Sequence, residues 1–266
     1  MNALGEIVLR GVRAVRRSIV WWTIGVIAFI AINLAFWPSL EDSAALDSFD
    51  EMEDLLAAFG AENITTPAGY LDGQVYALLV PLLFAAMAIT VVTALTAGDE
   101  SAGRLELLHA LPVGRRTIWA GRWLATMTTL LVVAVLSLAA TLACLPLFSL
   151  TEVSVGRVVG ATVGCMFLAA FHAAVAFLAA ALGASRGLSV GIAIFVLVAG
   201  YVASFVLPLS DALTGARRWS PWYWSLGNQP VTDGVSPAWM TLVLAITVAM
   251  VVAGLVAIDR RDIKTA

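Results

Sequence analysis

Six apolar runs without a single Asp, Glu, Lys or Arg dominate this chain, near 18–37, 74–97, 123–148, 158–182, 188–210 and 238–258. Each is long enough to cross a bilayer core, which takes about 20 apolar residues. Inside lipid every backbone N–H and C=O must be bonded within the chain, so runs of this length fold as helices. The expected fold is therefore an all-α polytopic membrane protein, one transmembrane domain over residues 1–266. Charged residues make up only 12%, about half the share of a soluble domain.

The arginines set an expected orientation. With the N-terminus inside, 12 of the 15 Lys and Arg fall in 1–17, 98–122, 183–187 and 259–266, leaving Arg157, Arg217 and Arg218 outside. The loop 38–73 carries nine acidic residues and no basic one. The positive-inside rule then gives N-in and C-in, in agreement with an even number of spans. The apolar stretch after Arg16 and Arg17 is too long for a signal-peptide core and lacks a small-residue cleavage site, so it reads as an uncleaved span. Cys144 and Cys165 both fall inside spans and give no disulfide framework.

Between the spans several patterns stand out. Leu4, Val8, Val12 and Val15 recur at helical spacing while Arg10, Arg13 and Arg17 point elsewhere, which predicts an interfacial helix over 2–17. Leu46, Phe49, Met52, Leu56 and Phe59 repeat that spacing among acids, and Thr66-Pro67-Ala68-Gly69 reads as a turn before span two. Gly156, Gly160 and Gly164, and again Gly183, Gly187 and Gly191, are spaced for close helix approach. Trp21, Trp22, Trp37, Trp119 and Trp123 fit an interfacial aromatic belt. The cluster Trp219, Trp222, Tyr223, Trp224 reads as belt or as short re-entrant helices.

Several chemistries find no residues. The one lysine, Lys264, follows Asp-Arg-Arg-Asp-Ile rather than a glycine-rich loop, so no phosphate-binding loop is present. Within the predicted spans only His172 is ionisable apart from the thiols, which argues against ion-coupled transport. No Cys/His spacing points to a metal. Energy for any uphill transport must then come from a partner, and catalytic residues and cofactors are expected on that partner instead.

The most informative segment is Gly98 to Arg116, GDESAGRLELLHALPVGRR. Asp99 and Glu100 would open a short helix at its positive dipole end, with Glu100 four residues before Arg104. Leu107, Leu108 and Leu111 would form its apolar face, Pro112 and Gly114 would end it, and Arg115 and Arg116 would meet headgroups. Such a helix suits docking to a soluble protein; an amphipathic linker on the membrane is the plain alternative.

This run resembles the loop of permease subunits in the type-2 class of ATP-binding-cassette transporters. FGAENITTPAGYL (59–71), SPWYWSLGNQP (220–230) and DRRDI (259–263) are similar to other segments of that family, in the same order. His109 departs from the apolar residue expected there. The resemblance implies a permease subunit driven by a separate cytoplasmic P-loop ATPase that holds ATP and magnesium. Its coupling helix would include Asp99, Glu100, Gly103, Arg104, Leu105, Glu106, Leu107, Leu108, Pro112, Arg115 and Arg116. It further implies a second permease subunit and a prokaryotic plasma membrane. A bundle without intramembrane charge would favour export of hydrophobic or amphiphilic compounds, with Thr90, Thr93, Thr126, Thr129 and His172 on a weakly polar path. The main alternative is a non-translocating transmission or scaffold subunit linking an ATPase to an extracytoplasmic partner.

Overall fold

A computed structural model describes residues 3–41, 64–103 and 113–261. Eight helices organise it, and among the described residues there is no strand. Helix α1 is Ala3–Ala14. Six helices are long and apolar enough to cross a membrane: α2 Arg16–Leu40, α3 Pro67–Ser101, α4 Arg115–Leu147, α5 Val155–Ala181, α6 Arg186–Leu209 and α8 Pro237–Arg260. The short α7, Pro221–Leu226, precedes α8. The amphipathic stretch at 46–59 lies outside the described residues.

The bundle has an inner pair and an outer ring. The apolar windows of α3 and α5 are each 61% buried, against 17–33% in α2, α4, α6 and α8. Alanines make the inner packing close: Ala161, Ala169, Ala173, Ala176 and Ala180 of α5 are wholly buried. Lipid gives no hydrophobic drive between helices, so small side chains that admit neighbouring backbones do the work of association. At Gly254 of α8 an added Cβ would stand 2.9 Å from the Phe177 ring of α5.

Two span starts differ from the hydropathy reading. Thr66-Pro67 does not turn before span two but starts it: Gly69 N–H donates to Thr66 Oγ1 at 3.1 Å and Pro67 takes the first helical position, the usual capping chemistry. Asp72 therefore lies inside α3 rather than in a loop. In the same way α4 starts at Arg115, eight residues before the apolar run. Its 33 residues extend about 50 Å, well beyond the roughly 30 Å of a hydrocarbon core.

The expected interfacial helix is present, and two glycines seat it on α4. A Cβ at Gly11 would lie 2.7 Å from Ala125 Cβ, and one at Gly121 would lie 2.5 Å from Ile7. Ile7 is buried and Val8, Val12 and Val15 pack on the core, while Arg10, Arg13 and Arg17 stay exposed. The other glycine series divide. Gly164 receives the carbonyl of Ser225, which would stand 2.4 Å from a Cβ, and Gly160 faces Val235. This series accommodates the segment around α7, not another span. Gly187 and Gly191 have nothing within 4 Å.

Only part of the aromatic set is exposed as a belt requires. Trp21 and Trp219 are exposed, whereas Trp37, Trp119 and Trp222 are nearly fully buried. Trp37 packs on Tyr70 with ring centroids 5.0 Å apart, and Trp119 and Trp123 both meet Phe177. Trp222 fixes α7 by donating from Nε1 to Leu197 O of α6, and Ser220 Oγ donates to Gly200 O.

Candidate functional site

Antiparallel spans bring the N-terminus, the end of α3, the starts of α4 and α6 and the ends of α5 and α8 to one end of the bundle. Ten arginines gather there: Arg10, Arg13, Arg16, Arg17, Arg115, Arg116, Arg122, Arg186, Arg260 and Arg261. Gly103 and Val113, which flank residues 104–112, lie at this end. Arg104, Leu105, Glu106, Leu107, Leu108 and Pro112 of the expected coupling helix lie outside the described residues, but both its flanks are well defined.

On the first flank, Asp99 and Glu100 close α3 rather than open a new helix. The helix widens just before them, over Ala94–Gly98, and turns off at Gly103, whose φ of +67° suits glycine. Gly98 leaves room for Arg186 at the start of α6: an added Cβ would lie 3.4 Å from Arg186 Cδ. Carboxylates at a helix C-terminus meet the negative end of its dipole, which disfavours them. Guanidinium groups compensate. Asp99 pairs with Arg122 of α4 at 2.7 Å, both side chains only 10% exposed. Glu100 pairs with Arg261, just beyond α8.

On the second flank, Gly114 precedes α4 in extended conformation and its carbonyl accepts from Ile118 N–H. Arg115 donates from Nη1 to the carbonyl of Arg261 at 2.9 Å, and Arg116 pairs with Asp259 of α8. Arg261 Nη1 also donates to Ala180 O of α5 at 3.0 Å. Residues on either side of 104–112 are thus tied to the same stretch, 259–261. The expected partner of Glu100 was Arg104, four residues on; its described partner is Arg261, 161 residues away.

The five residues expected on a polar path are not gathered into one. Thr90 is exposed on α3, while Thr93, Thr126 and Thr129 are buried. Each hydroxyl donates within its own helix, Thr93 to Ile89 O and Thr129 to Ala125 O for example. His172 Nδ1 lies 2.8 Å from Leu168 O on its own helix.

Sequence reasoning missed the polar centre of the opposite end. Asp72, fully buried, accepts from Val231 N–H at 2.7 Å, Thr232 N–H at 2.8 Å and Thr232 Oγ1 at 2.8 Å. The turn that carries it is wide, with Ala77 N–H bonded five residues back to Asp72 O. One turn further along, Tyr76 Oη bonds Thr162 Oγ1 of α5 at 3.0 Å. Tyr70 Oη donates to Asn33 O of α2 at 2.7 Å. Arg122 was missed as well, although an arginine between Gly121 and Trp123 at the head of an uncharged run was a visible signal.

Four spans around an inner pair, with ten arginines collected at one end, define a polytopic helical membrane protein. Residues 11–258 match the family described as the C-terminal domain of the multidrug efflux system permease Rv1217c. The chain belongs to that family of ATP-binding-cassette transporter permeases. A search of curated proteins returns no match.

Proposed function

We propose that the chain is the membrane-spanning subunit of an ATP-binding-cassette exporter, driven by a separate cytoplasmic P-loop ATPase that docks on residues 98–116. ATP and magnesium belong to that partner, and this chain contributes no catalytic residue. The family match over residues 11–258 carries the reading. The gathering of arginines at the end where Gly103 and Val113 lie supports it, because the positive-inside rule turns that end to the cytoplasm. The orientation is then N-in and C-in in a prokaryotic plasma membrane.

The family's description as one domain of a permease accords with a transporter that pairs two six-span units. A second permease subunit completes the translocation path here. The cargo class is hydrophobic or amphiphilic, such as a drug, antibiotic or lipid. Transport of nothing but small inorganic ions by the intact complex would refute that class.

Affinity purification from native membranes tests the ATPase reading. Wild type should bring down a P-loop ATPase, and Glu106→Arg should lose it while folding normally. A folded wild-type chain with no ATPase partner would overturn the proposal.

A further inference from the structure

Arg261 meets three helices besides its own. Its guanidinium pairs with Glu100 at the end of α3 and donates to Ala180 O in the last turn of α5, and its carbonyl accepts from Arg115 at the start of α4. The contact is largely closed from water, with Arg261 and Glu100 side chains each 14% exposed, so salt screens it weakly. Gly183 shapes the seat. Its φ of +99° ends α5, with Ala184 N–H donating to Ala179 O and Gly183 N–H to Ala180 O, the glycine-centred helix stop. An added Cβ at Gly183 would stand 3.3 Å from Arg261 Nε. A guanidinium fork holds a carboxylate and a carbonyl at once in fixed geometry, which an ammonium does not.

Covalently, residues 104–112 can displace only α3 and α4. The inner helix α5 is not adjacent in the chain to that segment, so it takes up the displacement only through contacts such as Arg261 with Ala180 O. We propose that Arg261 is a positioning residue for coupling. It makes the ends of α3, α4, α5 and α8 move as one body, so that a push on 104–112 reaches α5 and α8 directly. The proposal rests on the ATPase-driven reading above and names the residue that spreads the stroke.

The test uses the full chain with its co-purified ATPase in lipid nanodiscs, Cys144 and Cys165 replaced by alanine. Spin labels go at Ala102→Cys and Leu182→Cys, both exposed positions at the ends of α3 and α5. Pulsed electron paramagnetic resonance gives their separation without nucleotide and after trapping with ATP, magnesium and orthovanadate. With Arg261 present the separation should change by no more than the roughly 1–2 Å of a helix shift. In Arg261→Gln it should change by about 5 Å or more, the scale of a one-turn slip, or split into two populations.

An Arg261→Gln complex that traps with the wild-type separation overturns the proposal. Loss of the ATPase from Arg261→Gln also overturns it, since Arg261 would then belong to the docking surface itself. Should Arg261→Gln not survive purification, Glu100→Ala cuts the same tie to α3 and is read the same way. Absence of an ATPase from wild type instead refutes the proposed function.

Discussion

Replacing Asp72 by alanine should release the segment between α7 and α8 while leaving the spans folded. The carboxylate accepts three hydrogen bonds at 2.7–2.8 Å. Val231 is buried, so its N–H has no water to turn to; Thr232 is exposed and can be rehydrated. A buried donor left unsatisfied costs about 1–3 kcal/mol. Loss of the bonds at Thr232, whose exposed groups water can take over, adds about 1 kcal/mol, the typical net worth of a hydrogen bond. The sum of about 2–4 kcal/mol corresponds to roughly 30- to 1,000-fold more frequent opening. Hydrogen–deuterium exchange in detergent micelles reads this as faster exchange in peptides covering 227–236, with little change in α5. Unchanged exchange there would refute the assignment of Asp72 as the anchor of this segment. Asp72→Asn should open it less, because one carbonyl oxygen still accepts.

Gly164→Leu should lower the thermal unfolding temperature in detergent, because the Ser225 carbonyl, 2.4 Å from an added Cβ, is backbone and cannot yield; overpacking of this kind costs about 1–3 kcal/mol. Gly187→Leu and Gly191→Leu, where nothing lies within 4 Å, should leave that temperature unchanged. Trp222→Ala should cost about 3–5 kcal/mol through lost core volume, in addition to the bond to Leu197, read by the same melt. Arg122→Met should destabilise by up to about 3–5 kcal/mol by leaving the Asp99 carboxylate without its guanidinium. Adding Asp99→Leu should recover much of that loss; a double variant as unstable as the single one would show that the pair is not the source.

The number of spans and their rough places were legible because hydropathy over 20 residues is a coarse, robust signal. Their ends were not. A window that rejects charge stops at Asp72 and Arg122, yet both side chains are satisfied inside the bundle by partners that hydropathy cannot see. The start of α3 was legible locally, as Thr-Pro capping chemistry, but was taken for a turn because Asp72, two residues before the run at 74, broke the apolar pattern. The belt reading of the tryptophans failed for Trp37, Trp119 and Trp222 because belt and core positions share one composition. Their partners Tyr70, Phe177 and Leu197 come from distant parts of the chain. At the candidate site the charged residues on both flanks of 104–112 were visible in the sequence. Their ties to 259–261 were not, since nothing local connects Glu100 to Arg261, 161 residues away.

The threonine hydroxyls in the middle of α3 and α4 bond to their own helices, while the bonds that cross between helices described above collect near the two ends. A sheaf whose described cross-helix bonds sit at both rims, with a waist held largely by shape, has an unusual freedom to vary. Substitutions at mid-membrane that conserve volume break no polar hook and strand no donor. The lining there can be reshaped residue by residue while the rims hold the architecture, so lineages of such a protein can drift in what they accommodate without first losing their fold.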